Sequence, residues 1–335
     1  MFLPGVLNSN LNYASQMFPC GYEILAIPAF ILGVVLLFKG SDILVDGTVK
    51  VAAQLGISAL IISVLLVGFG TSSPEFAISV GAAAQGQSDI SLGNIIGSCI
   101  ANLFLVLGIS AIIRPIDVGK GIIRREMPIM LGATIILFIS AYVGLLDDYR
   151  IIGGILFLIL FITFIWFFIR CAKKERNIEK INKKDKKLKN IICIFLGIAA
   201  VVIGAYFLIE SSVTIAHIFK LPEFVIAASI VAIGTSLPEL VVSAMAAHKG
   251  ESDVAVGNVL GSNVFNILLI LGFAALFVPL FAYESIDTLL ILLIINFAMI
   301  PIIYTKNKIT RIEGIFMVIF YFIFIWYIFI GKNMI

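Results

Sequence analysis

Apolar residues dominate the chain in ten long runs, each long enough to cross a lipid bilayer. A transmembrane helix needs about 20 mostly apolar residues to span about 30 Å of hydrocarbon. Two of the runs, 50–83 and 222–247, are interrupted by Gly and Pro. The pattern predicts an all-α integral membrane protein with ten transmembrane helices, at residues 23–39, 50–83, 89–113, 127–146, 151–170, 190–210, 222–247, 253–280, 286–304 and 312–331.

The composition agrees with a membrane environment. Of the 335 residues, 61% are hydrophobic and only 13% are charged, and the mean hydropathy is +1.14. So few charges could not cover the surface of a water-soluble protein. Residues 1–22 contain no Lys or Arg, and we expect them to form an exposed N-terminal tail.

Positive charge is distributed unevenly between the connections. If the odd-numbered connections face the cytoplasm, that side holds 20 of the 23 Lys and Arg residues, and ten of these lie between Arg170 and Lys189. The opposite side holds only Arg150, Lys220 and Lys332. Because cytoplasmic loops carry an excess of Lys and Arg, we expect both termini outside the cell. The segment 171–189 is then a basic cytoplasmic linker in a multi-pass protein of the cell membrane.

The two halves of the chain carry the same polar segment. Residues 70–108 and 234–272 align without a gap at an offset of 164, and they agree at 19 of 39 positions. Each half has five predicted helices, an odd number, so the second half enters the membrane inverted. The sequence therefore predicts an inverted-topology 5+5 repeat of residues 23–170 and 190–331. Transporters with such repeats bind their substrates near the bilayer midplane.

Each copy of the repeated segment begins by interrupting an apolar helix. Pro74 and Pro238 have no N–H to donate, and each clashes with the carbonyl four residues earlier, at Gly70 and Gly234. Backbone freed in this way is tolerated at membrane depth only where it is buried in protein or lines a cavity. We expect both helices to break at these positions.

Oxygen-bearing side chains surround the two breaks. A carboxylate at the bilayer centre, such as Glu75 or Glu239, costs about 2.5–3.5 kcal/mol, and a bound cation would offset that cost. Residues four apart share a helix face, and this spacing occurs in Thr71 with Glu75, Ser98 with Asn102, and Ser262 with Asn266. An all-oxygen set suits Ca²⁺ and Na⁺, and two carboxylates can neutralise one Ca²⁺ or two Na⁺. Neither His nor Cys joins the cluster, and the four cysteines lack metal-site or disulfide spacing.

These motifs resemble those of the cation/Ca²⁺ exchanger superfamily, most closely the prokaryotic Na⁺/Ca²⁺ exchangers. The resemblance covers the whole membrane domain and is most specific in GTSSPE…GNIIGSCIAN and GTSLPE…GNVLGSNVFN. It implies four cation sites at the midplane and alternating access by sliding of the first and sixth helices. It also implies roles for individual residues: Glu75 and Glu239 as central Ca²⁺ ligands, Thr71 and Thr235 as carbonyl ligands, Ser72, Ser98, Ser236 and Ser262 at flanking Na⁺ sites, and Asn102 at the centre.

One residue departs from the family pattern. Asn266 stands where members of the family commonly carry Asp, so the central site has one carboxylate fewer. The two glutamates can still neutralise Ca²⁺, but the coupling ion is left open. A Ca²⁺/H⁺ antiporter, in which the glutamates take up protons, and a K⁺-dependent exchanger are the alternatives, and a cation channel is a third. The hydroxyl ligands favour Na⁺.

The sequence thus favours a secondary antiporter over an enzyme, since it contains no Ser-His-Asp, HExxH or phosphate-loop pattern. We expect it to function as a monomer in the lipid bilayer, with Ca²⁺ and Na⁺ as substrates, no cofactor and no nucleic acid partner.

Three structural details are also expected. Ser88 and Ser252 cap helices, Gly93, Gly97, Gly257 and Gly261 pack helices closely, and Asp42, Asp46 and Glu210 lie near helix ends.

Overall fold

The computed structural model describes residues 25–119, 121–175, 187–219, 234–304 and 307–328. The tail 1–22, the middle of the linker and the first half of the seventh predicted helix lie outside these ranges. Within them the chain forms eleven helices and one antiparallel ribbon of β1 (Ile116–Asp117) and β2 (Lys308–Ile309). The helices are α1 (Ala26–Leu55), α2 (Ala59–Thr71), α3 (Ser73–Ala84), α4 (Ser88–Ile113), α5 (Met127–Tyr142), α6 (Arg150–Glu175), α7 (Lys187–Ile218), α8 (Leu237–Lys249), α9 (Ser252–Phe277), α10 (Ile286–Tyr304) and α11 (Arg311–Trp326).

The helices have the length and apolar character of a membrane protein. In the described ranges, six are long and apolar enough to cross a bilayer, and the bent pair α2 and α3 would make a seventh. An all-helical membrane architecture is therefore confirmed. The count of ten stays a prediction, because α5 and α11 have only 16 residues each and the seventh predicted helix is described only from residue 234 onwards.

The first helix is longer than the predicted span 23–39. α1 continues to Leu55, so Asp42 and Asp46 lie inside it, and Glu210 lies inside α7; the expectation that they lie near helix ends is wrong. The ammonium group of Lys249, at the end of α8, lies 2.6 Å from carboxylate oxygens of both Asp42 and Asp46. In the sequence, the two aspartates suggest that the apolar span ends before them. In the structure, Lys249 offsets their negative charge.

α1 and α7 form an antiparallel pair whose backbones touch. A Cβ atom added at Gly33 would lie 2.8 Å from the backbone nitrogen of Leu208, and one at Gly204 would lie 2.8 Å from that of Leu37. Further along, a Cβ at Gly47 would lie 3.3 Å from the backbone nitrogen of Ile194. Small residues allow such close approach between helices in membranes. The glycines therefore join the first helix of each half of the chain along most of its length.

α2 and α9 cross with similarly close contact. A Cβ at Gly261 would lie 2.7 Å from the carbonyl oxygen of Val64, and one at Gly257 would lie 2.9 Å from Cβ of Ser63. The packing role predicted for these two glycines is confirmed. Gly93 and Gly97 meet no atom of the described residues within 4 Å of an added Cβ.

Two local expectations change at the helix starts. Helix α4 begins at Ser88 with Gln87 as its cap residue, and α9 begins at Ser252 after Glu251; neither has a side-chain cap. The predicted capping roles of Ser88 and Ser252 are therefore wrong. The Ser252 hydroxyl instead accepts a hydrogen bond from the backbone N–H of Asp117 at 3.1 Å, so it fastens β1 to the start of α9.

π-helical turns interrupt α4 and α9 at matching places, Ala101–Val106 and Phe265–Ile270. Others occur at Ser63–Val67 in α2 and at Ile122–Glu126 before α5. Such turns occur frequently at functional sites. The pair in α4 and α9 holds Asn102 and Asn266, so both predicted amide ligands lie on locally widened helix.

Candidate functional site

Both predicted helix breaks are present where the structure describes them. Ser72 separates α2 from α3 with backbone angles of φ −80° and ψ 8°, and the two helices meet at 49°. Ser236 precedes α8 with nearly the same angles, φ −87° and ψ 7°. Each break starts a new helix, and Glu75 and Glu239 lie in its first turn. The positive end of the helix dipole favours a carboxylate at that position.

The ten residues predicted for the site are all described, and all are buried. Their exposure ranges from none to 7%, for Thr71, Ser72, Glu75, Ser98, Asn102, Thr235, Ser236, Glu239, Ser262 and Asn266. Helices α2, α3, α4, α8 and α9, with the turn before α8, supply them, so both copies of the repeat contribute.

Hydroxyl groups from both repeats surround the Glu239 carboxylate. The Ser72 hydroxyl donates to Oε1 of Glu239 at 2.9 Å, and the Ser262 hydroxyl lies 3.2 Å from the same oxygen. The Thr71 and Ser262 hydroxyls are 3.4 Å apart, and Ser262 also reaches the carbonyl oxygen of Gly68 at 3.2 Å. The break in the first repeat and the carboxylate of the second are thus bonded directly.

The Glu75 carboxylate has different surroundings, although its sequence neighbours are the same. Among the described residues, neither of its oxygens has a hydrogen-bond partner, and the hydroxyl of Ser236 also has none. Oδ1 of Asn102 and both polar atoms of the Asn266 amide are likewise unpaired and buried. Buried polar groups are nearly always hydrogen-bonded. A cluster of unpaired oxygens is therefore suited to bind a cation.

The site thus breaks the symmetry of the repeat. Ser72 donates to Glu239, whereas its counterpart Ser236 has no hydrogen-bond partner among the described residues. Ser262 bonds to Glu239 at 3.2 Å, and its counterpart Ser98 faces Glu75. The two halves of the site therefore differ in their hydrogen bonding although their sequences are similar.

Asn258, a residue that the sequence analysis did not select, connects the two halves. Its amide nitrogen donates to the carbonyl oxygen of Glu239 at 3.3 Å and to the Ser243 hydroxyl at 3.0 Å, while its oxygen accepts from the Thr71 hydroxyl at 3.0 Å. Among the described residues, the counterpart Asn94 has one side-chain hydrogen bond, to Ser79 at 2.9 Å. Asn94 and Asn258 occupy matching positions of the repeat. This recurrence is the sequence feature that could have identified Asn258 as a site residue.

A second pair of polar residues, Asn263 and Cys99, lies where the repeats differ. Nδ2 of Asn102 donates to Oδ1 of Asn263 at 3.0 Å, and Nδ2 of Asn263 donates to the carbonyl oxygen of Cys99 at 3.1 Å. The amide of Asn263 therefore orients Asn102 from across the helix interface. Because Cys99 replaces asparagine in the first copy, no matching amide is available to orient Asn266.

No positive side chain of the described residues bonds to either glutamate, since the partners of Glu239 are hydroxyls and Glu75 has none. Attraction between opposite charges is much stronger in a low-dielectric interior than in water. The two carboxylates could therefore hold cations strongly, and hydroxyl, amide and backbone oxygens complete a ligand set of the hard-cation type.

Comparison with known proteins agrees with this chemistry. The family model described as sodium/calcium exchanger protein matches residues 25–170 and 189–330. Among curated proteins, the sodium/calcium exchanger MaX1 of Methanosarcina acetivorans is 33% identical over 88% of this chain and 96% of its own length. The inner membrane protein YrbG of Escherichia coli is 31% identical over 83% and 89%.

Solved structures of the sodium-calcium exchanger NCX_Mj are also similar. One of them, soaked with Na⁺ and Ca²⁺, superposes with a TM-score of 0.77 at 33% sequence identity. The match covers 90% of this chain and 97% of that one.

Proposed function

We propose that this chain, which belongs to the sodium/calcium exchanger family, carries Ca²⁺ and Na⁺ through the buried oxygen cluster by alternating access. It is a multi-pass membrane antiporter that exchanges Ca²⁺ for Na⁺, and it is not an enzyme. The two ions are its transported substrates, not cofactors.

Glu75 and Glu239 are the central ligands in this proposal. The observation that carries it is a pair of fully buried carboxylates, neither of which bonds to a positive side chain of the described residues. The other proposed ligands are the carbonyl oxygens of Thr71 and Thr235, the hydroxyls of Ser72, Ser98, Ser236 and Ser262, and the amides of Asn102 and Asn266. Their burial around the two helix breaks supports these roles.

Exchange follows from the competition of both ions for the same oxygens. One Ca²⁺ or two Na⁺ would neutralise the two glutamates, so a loaded site can cross the low-dielectric centre of the protein. An empty site would carry two uncompensated buried charges, which is costly. The unloaded carrier therefore does not change sides readily, and movement of one ion is coupled to return of the other.

We also propose ten transmembrane helices in an inverted 5+5 arrangement, with residues 23–170 and 190–331 as the repeats. The matching breaks and the paired π-helical turns support this architecture. Both termini lie outside the cell, and the basic linker 171–189 faces the cytoplasm, as its excess of Lys and Arg favours. The transport cluster is formed within one chain, which supports a monomer as the functional unit.

The experiment that tests this function is uptake of radioactive calcium into proteoliposomes of the purified protein. One set of vesicles has an outward Na⁺ gradient, and a second set has only a pH gradient. We expect uptake in the first set alone, and we expect its loss in Glu75→Gln and in Glu239→Gln. Glu210→Gln is the matched control, because Glu210 is a partly buried glutamate of α7 outside the cluster.

Three results would contradict the proposal. Uptake driven by the pH gradient alone would make the protein a proton-coupled antiporter. Retention of Na⁺-driven uptake in either cluster variant would remove that glutamate from the central site. Calcium leak without Na⁺, at a rate equal to exchange, would exclude a coupled carrier.

A further inference from the structure

A groove with a volume of about 320 Å³ opens between α5 and α6, away from the transport cluster. Gly132 and Ile136 of α5 and Leu160 and Phe167 of α6 line its sides, and the buried Leu268 of α9 lies at its inner end. Thr163 is its one polar lining residue. Along α5 the groove extends from Ile129 to Ile136, which is about 10 Å at 1.5 Å per residue. The groove is therefore an elongated apolar channel on a membrane-spanning surface.

The groove leads towards positive charge at one end. α5 and α6 are joined by residues 143–149 and run antiparallel, so the start of α5 lies beside the end of α6. Arg170 and Lys174 follow Phe167 by three and seven residues, which places them on the same face of α6. Both side chains are exposed. Arg125, in the π-helical turn before α5, precedes Ile129 by four residues, about one helical turn.

Aromatic rings and one carboxylate hold this basic end in place. The Arg170 guanidinium lies 3.6 Å from the ring centre of Trp166, which also lines the groove. The Arg125 guanidinium lies 5.4 Å from the ring centre of Phe168 and pairs with Glu126 at 2.6 Å. Glu126 satisfies Arg125 in this way, whereas no carboxylate of the described residues pairs with Arg170 or Lys174. Within the described part of the chain, these two cations lie exposed beyond the end of the groove.

We propose that the groove holds an acyl chain of an anionic phospholipid, whose phosphate is bound by Arg170 and Lys174. An apolar channel that ends in an aromatic and basic rim matches a lipid, in which a hydrocarbon chain joins a negative headgroup. Trp and basic residues are typical at the level of the headgroups. A helix of a second protein copy would fill the groove but would leave the two cations without an anion.

The lipid would pack against the outer side of the helix that carries Asn266. Leu268 belongs to the π-helical turn Phe265–Ile270, which also holds Asn266. Phe164, another groove residue, packs edge-on against Phe265, with ring centres 6.1 Å apart. A chain in the groove would complete the packing outside this turn. Bound anionic lipid should therefore raise the thermal stability of the protein.

The test compares phosphatidylglycerol with phosphatidylcholine carrying the same acyl chains, added to the purified full-length protein in detergent. Native mass spectrometry counts retained lipids, and a thermal unfolding assay measures the stabilisation. We expect one retained phosphatidylglycerol and a higher midpoint of unfolding, with neither effect from phosphatidylcholine. The double variant Arg170→Gln/Lys174→Gln should weaken phosphatidylglycerol binding by about 10- to 30-fold.

Two matched controls separate this site from general effects of charge and hydrophobicity. Lys173→Gln removes one positive charge from the same end of α6, about 100° around the helix from Lys174, and it should weaken binding by much less than the double variant. Gly132→Phe should fill the groove, since a Cβ there meets no atom of the described residues within 4 Å, and it should abolish lipid retention. Ile139→Phe adds bulk to an exposed position on the same helix and should have no effect.

Several results would overturn the proposal. Equal binding of the two lipids would remove the role of the phosphate. Equal loss in Lys173→Gln and the double variant would indicate diffuse attraction to basic charge. A dimer that Gly132→Phe dissociates would identify a second protein copy as the occupant. Because lipid retention and stability are measured without transport, the result does not depend on the identity of the exchanged ions.

Discussion

At the residue scale, the two glutamates differ in environment although they share a motif. Glu239 accepts hydrogen bonds from Ser72 and Ser262, while the oxygens of Glu75 have no partner in the described part of the chain. Asn258 contributes to this difference, because its side-chain amide bonds to both the Thr71 hydroxyl and the backbone carbonyl of Glu239. A positioning residue of this kind should affect ion affinity without contacting the ion.

We predict that Asn258→Ala raises the half-saturating Ca²⁺ concentration for exchange about tenfold. The substitution removes three hydrogen bonds, to the Thr71 hydroxyl, the Glu239 carbonyl and the Ser243 hydroxyl. Each contributes about 0.5–1.5 kcal/mol, and 1.4 kcal/mol corresponds to a factor of ten. Initial rates of Na⁺-driven uptake over a range of Ca²⁺ concentrations measure the effect.

Asn94→Ala is the matched control, because Asn94 has one side-chain hydrogen bond among the described residues, to the Ser79 hydroxyl. Its effect should be about threefold or less. If the two variants raised the half-saturating concentration equally, the connection from Asn258 to Thr71 would have no role in positioning the site.

At the element scale, the important contact joins α1 to the end of α8. Lys249 pairs with Asp42 and Asp46, and their side chains are 22%, 46% and 49% exposed. Pairs this exposed add little to stability, at most about 1 kcal/mol. Their value lies in the helices that they connect, because α1 is expected to move during transport while α8 holds Glu239.

We predict that Lys249→Gln raises the maximal rate of exchange up to about fivefold, because movement of α1 no longer has to break this pair. Lys50→Gln is the control, since Lys50 reaches Asp46 at 3.4 Å within α1 itself. Rates at saturating Ca²⁺ measure both variants. A rate that rises equally in both would indicate an effect of charge alone.

A second prediction at this scale concerns the close packing of α1 and α7. Gly33→Ala places a methyl group 2.8 Å from the backbone nitrogen of Leu208 and 2.9 Å from the carbonyl oxygen of Gly204. Backbone atoms of a packed helix cannot move aside easily, and overpacking costs about 1–3 kcal/mol.

The thermal unfolding midpoint of Gly33→Ala should therefore fall. Gly81→Ala adds the same methyl group in α3, where no atom of the described residues lies within 4 Å, and its midpoint should not fall. Unchanged stability in Gly33→Ala would show that the two helices can separate without cost.

At the scale of the whole molecule, the orientation that we propose in the membrane rests on the distribution of charge and on the odd number of predicted helices in each repeat. The connection 143–149 lies at the opposite end of α6 from the linker 171–189. The two segments must therefore face opposite sides of the membrane if α6 spans it.

Cysteine labelling in intact cells tests this orientation. In a variant without the native cysteines, Asp148→Cys should react with a membrane-impermeant maleimide added outside, because it is exposed in the external connection. Lys180→Cys, in the linker, should react only after the cells are permeabilised. The reverse pattern would place the termini inside and would remove the basis of the positive-inside argument for this chain.

The sequence alone determined the membrane class, the repeated segment, both helix breaks and the ten residues that we propose for the site, all of which are buried. These features depend on local chemistry: a proline has no N–H, and an apolar run of sufficient length is stable in lipid. The repeat also showed that both glutamates belong to one kind of site.

Only the tertiary structure decided the features that depend on contacts between distant segments. α1 continues past Asp42 and Asp46, and the pairing of both carboxylates with Lys249, some 200 residues later, is a contact that only the folded chain brings about. The similar motifs around Glu75 and Glu239 acquire different partners in the folded chain. The sequence determines each half separately, whereas the unequal state of the whole site arises from how the halves meet.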